Sequence, residues 1–205
     1  MRAASGADAI EVGAEAVVFL GAGRPLERIV VPGVVLRPGE ILVAVELVTL
    51  CPEDARILSG AEHVHGPVVL GHEQVGRIVA IASRRRPRSV DGTRLSVGDR
   101  VVWAAGVGRH RYGHDRVERG WELSGGCATH VQLLARTPVV RVEDDLPASV
   151  LASASCGVFT GDELIAALAV EREPVMREFA LAEAEEAFAV LSSGGRVAVR
   201  PSSPG

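Results

Sequence analysis

The pattern of apolar and polar residues predicts a series of short β-strands through most of the chain. Residues 16–20 form an apolar run closed by glycine, and residues 27–35 alternate loosely before a turn. Ile41–Leu50 is the strongest predicted strand, because almost every residue in it is apolar or β-branched. Further strands are predicted at residues 68–70, 75–81, 127–134 and 139–142, with one more following a turn within residues 95–103. We interpret residues 106–120 as a polar loop without periodicity.

Helical patterns are short and become more frequent near the C-terminal end. The predicted helices cover residues 54–58, 146–154, 162–169 and 182–191. The first is expected to end at Gly60, and Asp145 is expected to cap the second. A last strand is predicted at residues 196–200. This order predicts a mostly β fold that finishes in an α/β segment, without the successive βαβ units of a Rossmann domain.

Composition and charge narrow the class of protein. Of 205 residues, 47% are hydrophobic, which is typical of globular proteins. The net charge of −4 argues against a nucleic acid or an anionic membrane surface as a partner. The N-terminal region lacks the pattern of a signal peptide, and the apolar runs are too short to span a bilayer. Three cysteines do not make a disulfide framework, so we expect reduced thiols and a cytoplasmic protein.

The residues with the most informative chemistry lie between positions 49 and 75. Thiol, imidazole and carboxylate groups occur there together, and they form the ligand set of Zn²⁺. The candidate ligands are Cys51, His72, Glu73 and, far downstream, Cys156. A structural zinc site would more often show paired C-x₂-C spacings, which this chain lacks. The spacing therefore favours a catalytic zinc site.

Several motifs together identify a family. They are Cys51-Pro52-Glu53-Asp54, Gly71-His72-Glu73, Gly98-Asp99-Arg100-Val101 and Gly125-Gly126, with Cys156 following the Asp145-Leu146-Pro147 turn. In this combination the chain resembles the zinc-dependent medium-chain alcohol dehydrogenases, whose catalytic domain is a GroES-like β-barrel. Tyr112-Gly113-His114 and residues 121–126 look most similar to the branch associated with phosphonate metabolism. The resemblance implies one domain over residues 1–205, with a barrel at 1–157 and its C-terminal return at 158–205.

The sequence departs from this family in three places. The nicotinamide-binding domain that the family inserts after the third ligand is expected to be deleted between about residues 157 and 160, and no glycine-rich phosphate loop follows. The family's structural zinc lobe takes four cysteines, whereas this chain has three in total. The hydroxyl that relays the alcohol's proton is replaced by Glu53, and the relay histidine by Arg56. We therefore expect Zn²⁺ as the cofactor and no NAD(P).

The resemblance implies roles for the residues around the metal. Cys51, His72 and Cys156 are the expected zinc ligands, and Glu73 is expected either to complete the site or to orient His72 from behind. Asp54 is expected to lie behind the ligands or to cap the following helical turn. The predicted catalytic residues are Glu53, as proton acceptor, and His65; a solvated surface carboxylate is the alternative for Glu53. The predicted substrate-binding residues are His63 and Arg56, with arginines in residues 109–119 as further candidates for binding an anion, and His114 and His130 are interpreted as structural.

These features favour a zinc-dependent enzyme that uses no nicotinamide. It would be a lyase, isomerase, cyclase or hydrolase acting on a small oxygenated metabolite, including a phosphonate or another anion. One alternative is a non-catalytic zinc-binding remnant of an alcohol dehydrogenase. Another is a dehydrogenase subunit that receives its nicotinamide domain from a separate chain.

The expected partners are a small-molecule substrate and a second copy of the chain. Loss of a domain would uncover apolar surface, which soluble monomers rarely expose, so a homodimer is predicted. The helix at residues 182–191 and the strand at residues 196–200, with a newly exposed edge, are the predicted contact elements.

Overall fold

The computed structural model describes residues 8–64, 66–82, 87–117, 121–170 and 177–201. The strands fall into two main sheets and one small hairpin. None of the helices in the described ranges is long and apolar enough to cross a membrane.

The first sheet has three antiparallel strands. They are β1 (Asp8–Phe19), β2 (Glu27–Leu36) and β4 (Val68–Val69), in the order β2-β1-β4. β1 begins earlier than the sequence pattern predicts, because its first half pairs with β2 while its side chains are only partly buried. The register shifts between Glu11 and Ala14, and Gly13 has the positive φ of 56° that this bulge requires.

The second sheet carries the site described below. Its strands are β3 (Ile41–Leu50), β5 (Glu73–Ile81), β6 (Arg100–Trp103), β9 (His130–Leu133), β10 (Val139–Arg141), β11 (Arg177–Ala180) and β12 (Val197–Arg200). The order is β10-β6-β5-β3-β12-β11, and β9 also pairs with β3. β3 is buried at nine of its ten positions, since its side chains pack into three separate apolar clusters. Burial on both faces explains why its sequence is continuously apolar instead of alternating.

A short hairpin interrupts the region that the sequence analysis interprets as a loop. Its strands are β7 (Gly106–Val107) and β8 (His110–Arg111). Each strand is only two residues long, too short to leave a period in the sequence. The hairpin holds residues 110–115 close to the start of β5, as described below.

The helices agree in position with the predicted ones but differ at one cap. They are α1 (Pro52–Ser59), α2 (Ala148–Ala152), α3 (Gly161–Leu168) and α4 (Ala184–Ser192), with 3₁₀ turns at Ser153–Ser155 and Leu181–Glu183. The predicted cap at Asp145 is wrong: Pro147 precedes α2 and forms no side-chain capping bond. The chain before α2 is held by Arg100 instead, whose Nη1 donates to the carbonyls of Glu143 and Leu146.

The C-terminal segment is an α/β unit, as predicted. β11 and β12 pair in parallel, and α4 connects them. β12 lies between β3 and β11, so both of its edges are hydrogen-bonded. The expectation that residues 196–200 offer a free edge is therefore wrong, because β11 covers that edge. Among the described residues this is the only parallel pairing, and no Rossmann sheet is formed.

Candidate metal centre

Antiparallel pairing of β3 with β5 brings the first candidate ligands together. Thr49 near the end of β3 is paired with Glu73 at the start of β5, so Cys51 and His72 emerge side by side. Cys51 Sγ lies 3.3 Å from His72 Nε2, and both residues are buried. The predicted proximity of these two residues is thus a direct consequence of strand register.

The second thiol of the candidate ligand set comes from a distant part of the chain. Cys156 directly follows the 3₁₀ turn Ser153–Ser155 and is exposed. Ser155, which is fully buried, fixes that turn: its Oγ accepts from the backbone N–H of Gln74 at 3.2 Å and donates to the Ala152 carbonyl at 2.9 Å. One hydroxyl group therefore links the backbone of β5 to the turn that directly precedes Cys156.

The four predicted ligands form one compact group. Ligand atoms of Cys51, His72, Glu73 and Cys156 all lie within 4.8 Å of one another. Contact with the Cys156 thiol and burial both raise the pKa of the Cys51 thiol, and burial raises the pKa of Glu73. A cation bound among these donors would displace their protons and neutralise their charge. Two sulfurs, an imidazole and a carboxylate suit Zn²⁺, so the donor set fits the expected metal.

Thr49 and Asp54 orient two of these donors. The Thr49 hydroxyl donates to Glu73 Oε2 at 2.6 Å. Asp54 is fully buried; it accepts from the backbone N–H groups of Cys51 and Gly71, and its Oδ1 lies 3.7 Å from His72 Nδ1. Burial disfavours a charge on His72, but the neighbouring Asp54 carboxylate raises the pKa of the imidazole well above its usual value. Asp54 therefore caps α1, and the same carboxylate faces His72 Nδ1.

Replacing Ser155 by alanine is expected to weaken zinc binding by about 10–100-fold, the range typical for loss of a group that orients a ligand. The reason is that Cys156 would lose its hydrogen-bonded link to β5. Ser153→Ala is the matched control, because its hydroxyl donates to the Val150 carbonyl within its own segment. Competition with a chromogenic chelator would measure both affinities, and the sulfur-to-metal absorption of the cobalt-substituted protein would report the position of Cys156. Equal affinities in the two variants would contradict the prediction.

Glu53 lies inside the site and not on a solvated surface. Its side chain is 24% exposed, and its Oε2 is 3.6 Å from His72 Nε2. Its Oε1 accepts from Arg111 Nη2 at 3.0 Å and lies 3.2 Å from His114 Nε2. Burial opposes ionisation of Glu53, but His114, His72 and Arg111 together hold its pKa below the usual value. The Glu53 carboxylate is therefore a charged group that contacts Arg111 and His114 and lies beside the candidate ligand His72.

The sequence analysis did not place His114 in the site, although the structure does. His114 is buried, its ring centroid is 4.9 Å from that of His72, and Glu53, His72 and His114 form a second compact group of ligand atoms. Arg111 was included only among the arginines of residues 109–119. The Tyr112-Gly113-His114 motif was the one available signal, but nothing in the sequence shows that this turn packs on Gly71. A Cβ on Gly113 would come within 2.8 Å of the Gly71 backbone.

The other predicted site residues are Arg56, His63 and His65. Arg56 lies on α1, and its exposed guanidinium pairs with Glu62 at 2.9 Å. His63 is exposed in the segment after α1. His65 lies outside the described residues. Their roles in catalysis and substrate binding stay predictions.

A cavity of about 550 Å³ opens beside the candidate ligands. Cys51, Glu73 and Cys156 lie in its wall. The lining also includes the end of α4 and the chain leading into β12, and it is largely apolar. A small molecule in this cavity would therefore lie beside the candidate ligands.

Comparison with known proteins agrees with this architecture. Residues 37–144, more than half of the chain, match the alcohol dehydrogenase GroES-like domain. An alcohol dehydrogenase from Thermotoga maritima superposes with a TM-score of 0.77 at 15% identity, covering 92% of this chain and 99% of that one. AibC superposes with a TM-score of 0.69 at 14% identity, covering 94% and 97%. A putative zinc-binding dehydrogenase from Sinorhizobium meliloti 1021, bound to NADP, matches 69% of this chain but only 42% of its own, at 22% identity and a TM-score of 0.54.

These structural similarities concern the fold, since the identities are low. They confirm the predicted fold class, a mostly β GroES-like catalytic domain with a C-terminal α/β segment. The candidate ligand group lies where β3, α1 and β5 meet within the matched residues, with Cys156 contributed from beyond them. The chain belongs to the alcohol dehydrogenase GroES-like domain family.

Proposed function

We propose that the protein is a zinc-dependent enzyme that catalyses a non-redox reaction on a small oxygenated metabolite, as a lyase, isomerase, cyclase or hydrolase. One observation carries this proposal: Glu53 Oε2 lies 3.6 Å from Nε2 of the candidate ligand His72. A carboxylate within reach of a metal-bound substrate is suited to proton transfer, whereas the family's alcohol oxidation uses a hydroxyl group at that position. When bound, zinc would supply a Lewis acid that polarises a substrate oxygen.

In this proposal the residues of the site have separate roles. Cys51, His72 and Cys156 would hold the metal, with Glu73 held by Thr49 at its edge. Glu53 Oε2 would accept a proton from the substrate, and in the substrate-free protein Oε1 of the same carboxylate contacts Arg111 and His114. The adjoining cavity, whose lining is largely apolar, would receive the substrate beside these ligands.

Independence from NAD(P) is part of the proposal. It is supported by the sequence between Cys156 and Thr160, which offers no strand, glycine loop and helix to receive a pyrophosphate. Hydride transfer needs a hydride carrier, so a chain that binds none must use another chemistry. A homodimer also stays a proposal, since its partner surface is not defined by the contacts within one chain.

Replacing Glu53 by glutamine is expected to lower the rate of proton transfer by about 10²–10⁴-fold, because an amide cannot accept the proton. Zinc-loaded protein would be incubated in D₂O with a panel of small aldehydes, ketones and hydroxy acids. Proton NMR would then follow the exchange of C–H groups next to the carbonyl. Zinc content should be the same in the variant and the wild type.

Glu186→Gln is the matched control, because Glu186 is also paired with an arginine but lies on α4. It should exchange at the wild-type rate. Full exchange by Glu53→Gln would remove Glu53 from the mechanism. Reduction of NAD⁺ by wild-type protein in the presence of an alcohol would contradict the non-redox proposal.

A further inference from the structure

The Arg111 guanidinium is hydrogen-bonded to Glu53 and at the same time partly exposed to solvent. Its Nη2 donates to Glu53 Oε1 at 3.0 Å, while 41% of its side chain remains exposed. Its guanidinium also lies 5.8 Å from the ring centroid of Phe159. A guanidinium presents five N–H donors in a planar fork, and one carboxylate oxygen does not exhaust them. Arg111 can therefore meet a second anion at the margin of the site.

His114 converges on the same oxygen from the protein interior. Its side chain is only 5% exposed, and its Nε2 lies 3.2 Å from Glu53 Oε1 without hydrogen-bond alignment. Its other ring nitrogen, Nδ1, is 3.1 Å from the Tyr112 carbonyl oxygen, which fixes the ring. Nε2 is thus a buried polar atom aimed at a carboxylate that does not fully satisfy it.

The turn that carries both residues is fixed by backbone contacts. Tyr112 N–H donates to the Ala105 carbonyl at 2.8 Å, and Gly113 N–H donates to the Ser124 carbonyl at 2.9 Å. The backbone N–H of Arg111 donates to Asp115 Oδ2 at 3.0 Å. The backbone of this turn therefore does not need to be ordered when a ligand arrives, which lowers the cost of binding.

We propose that Arg111 and His114 form the binding site for an oxyanion group of the substrate, and that Glu53 occupies this site until the substrate arrives. The incoming anion takes over the donors of Arg111 beside the His114 ring, and the Glu53 carboxylate is released towards its neighbour His72. This proposal rests on the proposed function, because it names the substrate class for that same site. The ligand is a small metabolite with a carboxylate or a phosphoryl-type group, both of which match the arginine fork.

The test measures anion binding to the zinc-loaded protein, independently of turnover. Malonate serves as the carboxylate probe and methylphosphonate as the phosphoryl-type probe, with calorimetry for both and ³¹P NMR for the second. Saturable binding is expected, and the probe that binds more tightly identifies the group. Arg111→Gln should weaken binding by about 10-fold or more, equivalent to about 1.4 kcal/mol. Glu53→Gln should strengthen it, because the internal competitor loses its charge.

Arg177→Gln is the matched control, because Arg177 also pairs with a glutamate and lies over a phenylalanine ring, far along the chain on β11. It should bind the probes as the wild type does. Arg111→Lys guards against a folding defect in the glutamine variant; it keeps the charge without the fork and should bind with intermediate affinity.

Two results would overturn the inference. One is anion binding that Arg111→Gln leaves unchanged, which would place the anion on the metal alone. The other is the absence of saturable binding by both the wild type and Glu53→Gln. Failure of the proposed function is distinguishable, since anion binding would persist while deuterium exchange is missing.

Discussion

Replacing His72 by alanine is expected to leave the protein without stoichiometric zinc. His72 is 1% exposed, and its Nε2 faces both the Cys51 thiol and the Glu53 carboxylate. It therefore belongs to both groups of ligand atoms around the centre. Loss of a residue that merely orients a ligand costs about 10–100-fold in metal affinity, so loss of the ligand itself should exceed that range. Elemental analysis after dialysis should give one zinc per chain for the wild type and almost none for the variant.

Two further variants control this experiment. His130→Ala should retain its zinc, because His130 lies on β9 and contacts the Thr129 hydroxyl, not the ligand group. Cys156→Ser tests the site with little risk to folding, because the Cys156 side chain is exposed. Retention of one tightly bound zinc by both His72→Ala and Cys156→Ser would show that residues outside the candidate ligand group hold the metal.

Replacing Arg100 by methionine is expected to reduce the free energy of unfolding by about 3 kcal/mol, at the low end of the range for breaking a buried ion pair. Arg100 is 4% exposed; its Nε and Nη2 donate to the two carboxylate oxygens of Glu46 at 2.9 and 2.8 Å. Its Nη1 donates to three carbonyls in the segment before α2, at 2.7–3.3 Å. Methionine would leave all of these acceptors without their donor. We expect the low end of this range because Glu46 is 30% exposed and can be hydrated when Arg100 is lost.

Arg77→Met is the matched control for this prediction. Arg77 is paired with Arg100 across β5 and β6, and it also reaches Asp144, but its side chain is 46% exposed. A surface ion pair of this kind contributes about 0–1 kcal/mol. Urea denaturation of both variants would measure the difference in the free energy of unfolding. Equal losses in the two variants would contradict the stabilising role assigned to Arg100. Arg100→Met should also lower zinc affinity, since the segment that Arg100 holds leads through α2 to Cys156.

The sequence was sufficient to predict most strands and the identity of the candidate ligands. The continuous apolar run at Ile41–Leu50 predicted a strand with the observed bounds, and α1 ends at Gly60 as expected. These features depend on local periodicity and on backbone preferences that a single segment carries. Where local signals were weak, as at the two-residue strands of the hairpin or at the cap of α2, the expectation failed.

The group around Glu53 depended on contacts that no local pattern encodes. Arg111 and His114 are far from Glu53 in the chain, and they reach it only because Gly113 allows their turn to lie against Gly71. Tertiary contacts likewise determined that the second edge of β12 is hydrogen-bonded. Its partner there is β11, which precedes α4 in the chain. Such contacts arise when strands from distant parts of the chain come into register, so their geometry belongs to the folded molecule as a whole.

Residue type and spacing by themselves thus determined a mostly β chain and predicted a candidate ligand set of thiol, imidazole and carboxylate groups. The motifs were sufficient for this because a metal ligand is recognised by its donor atom. Only the tertiary structure decided which charges surround Glu53, and that Ser155 links Cys156 to the strand of His72. The physical reason is that hydrogen bonds and ion pairs depend on distance and direction, which the fold alone supplies.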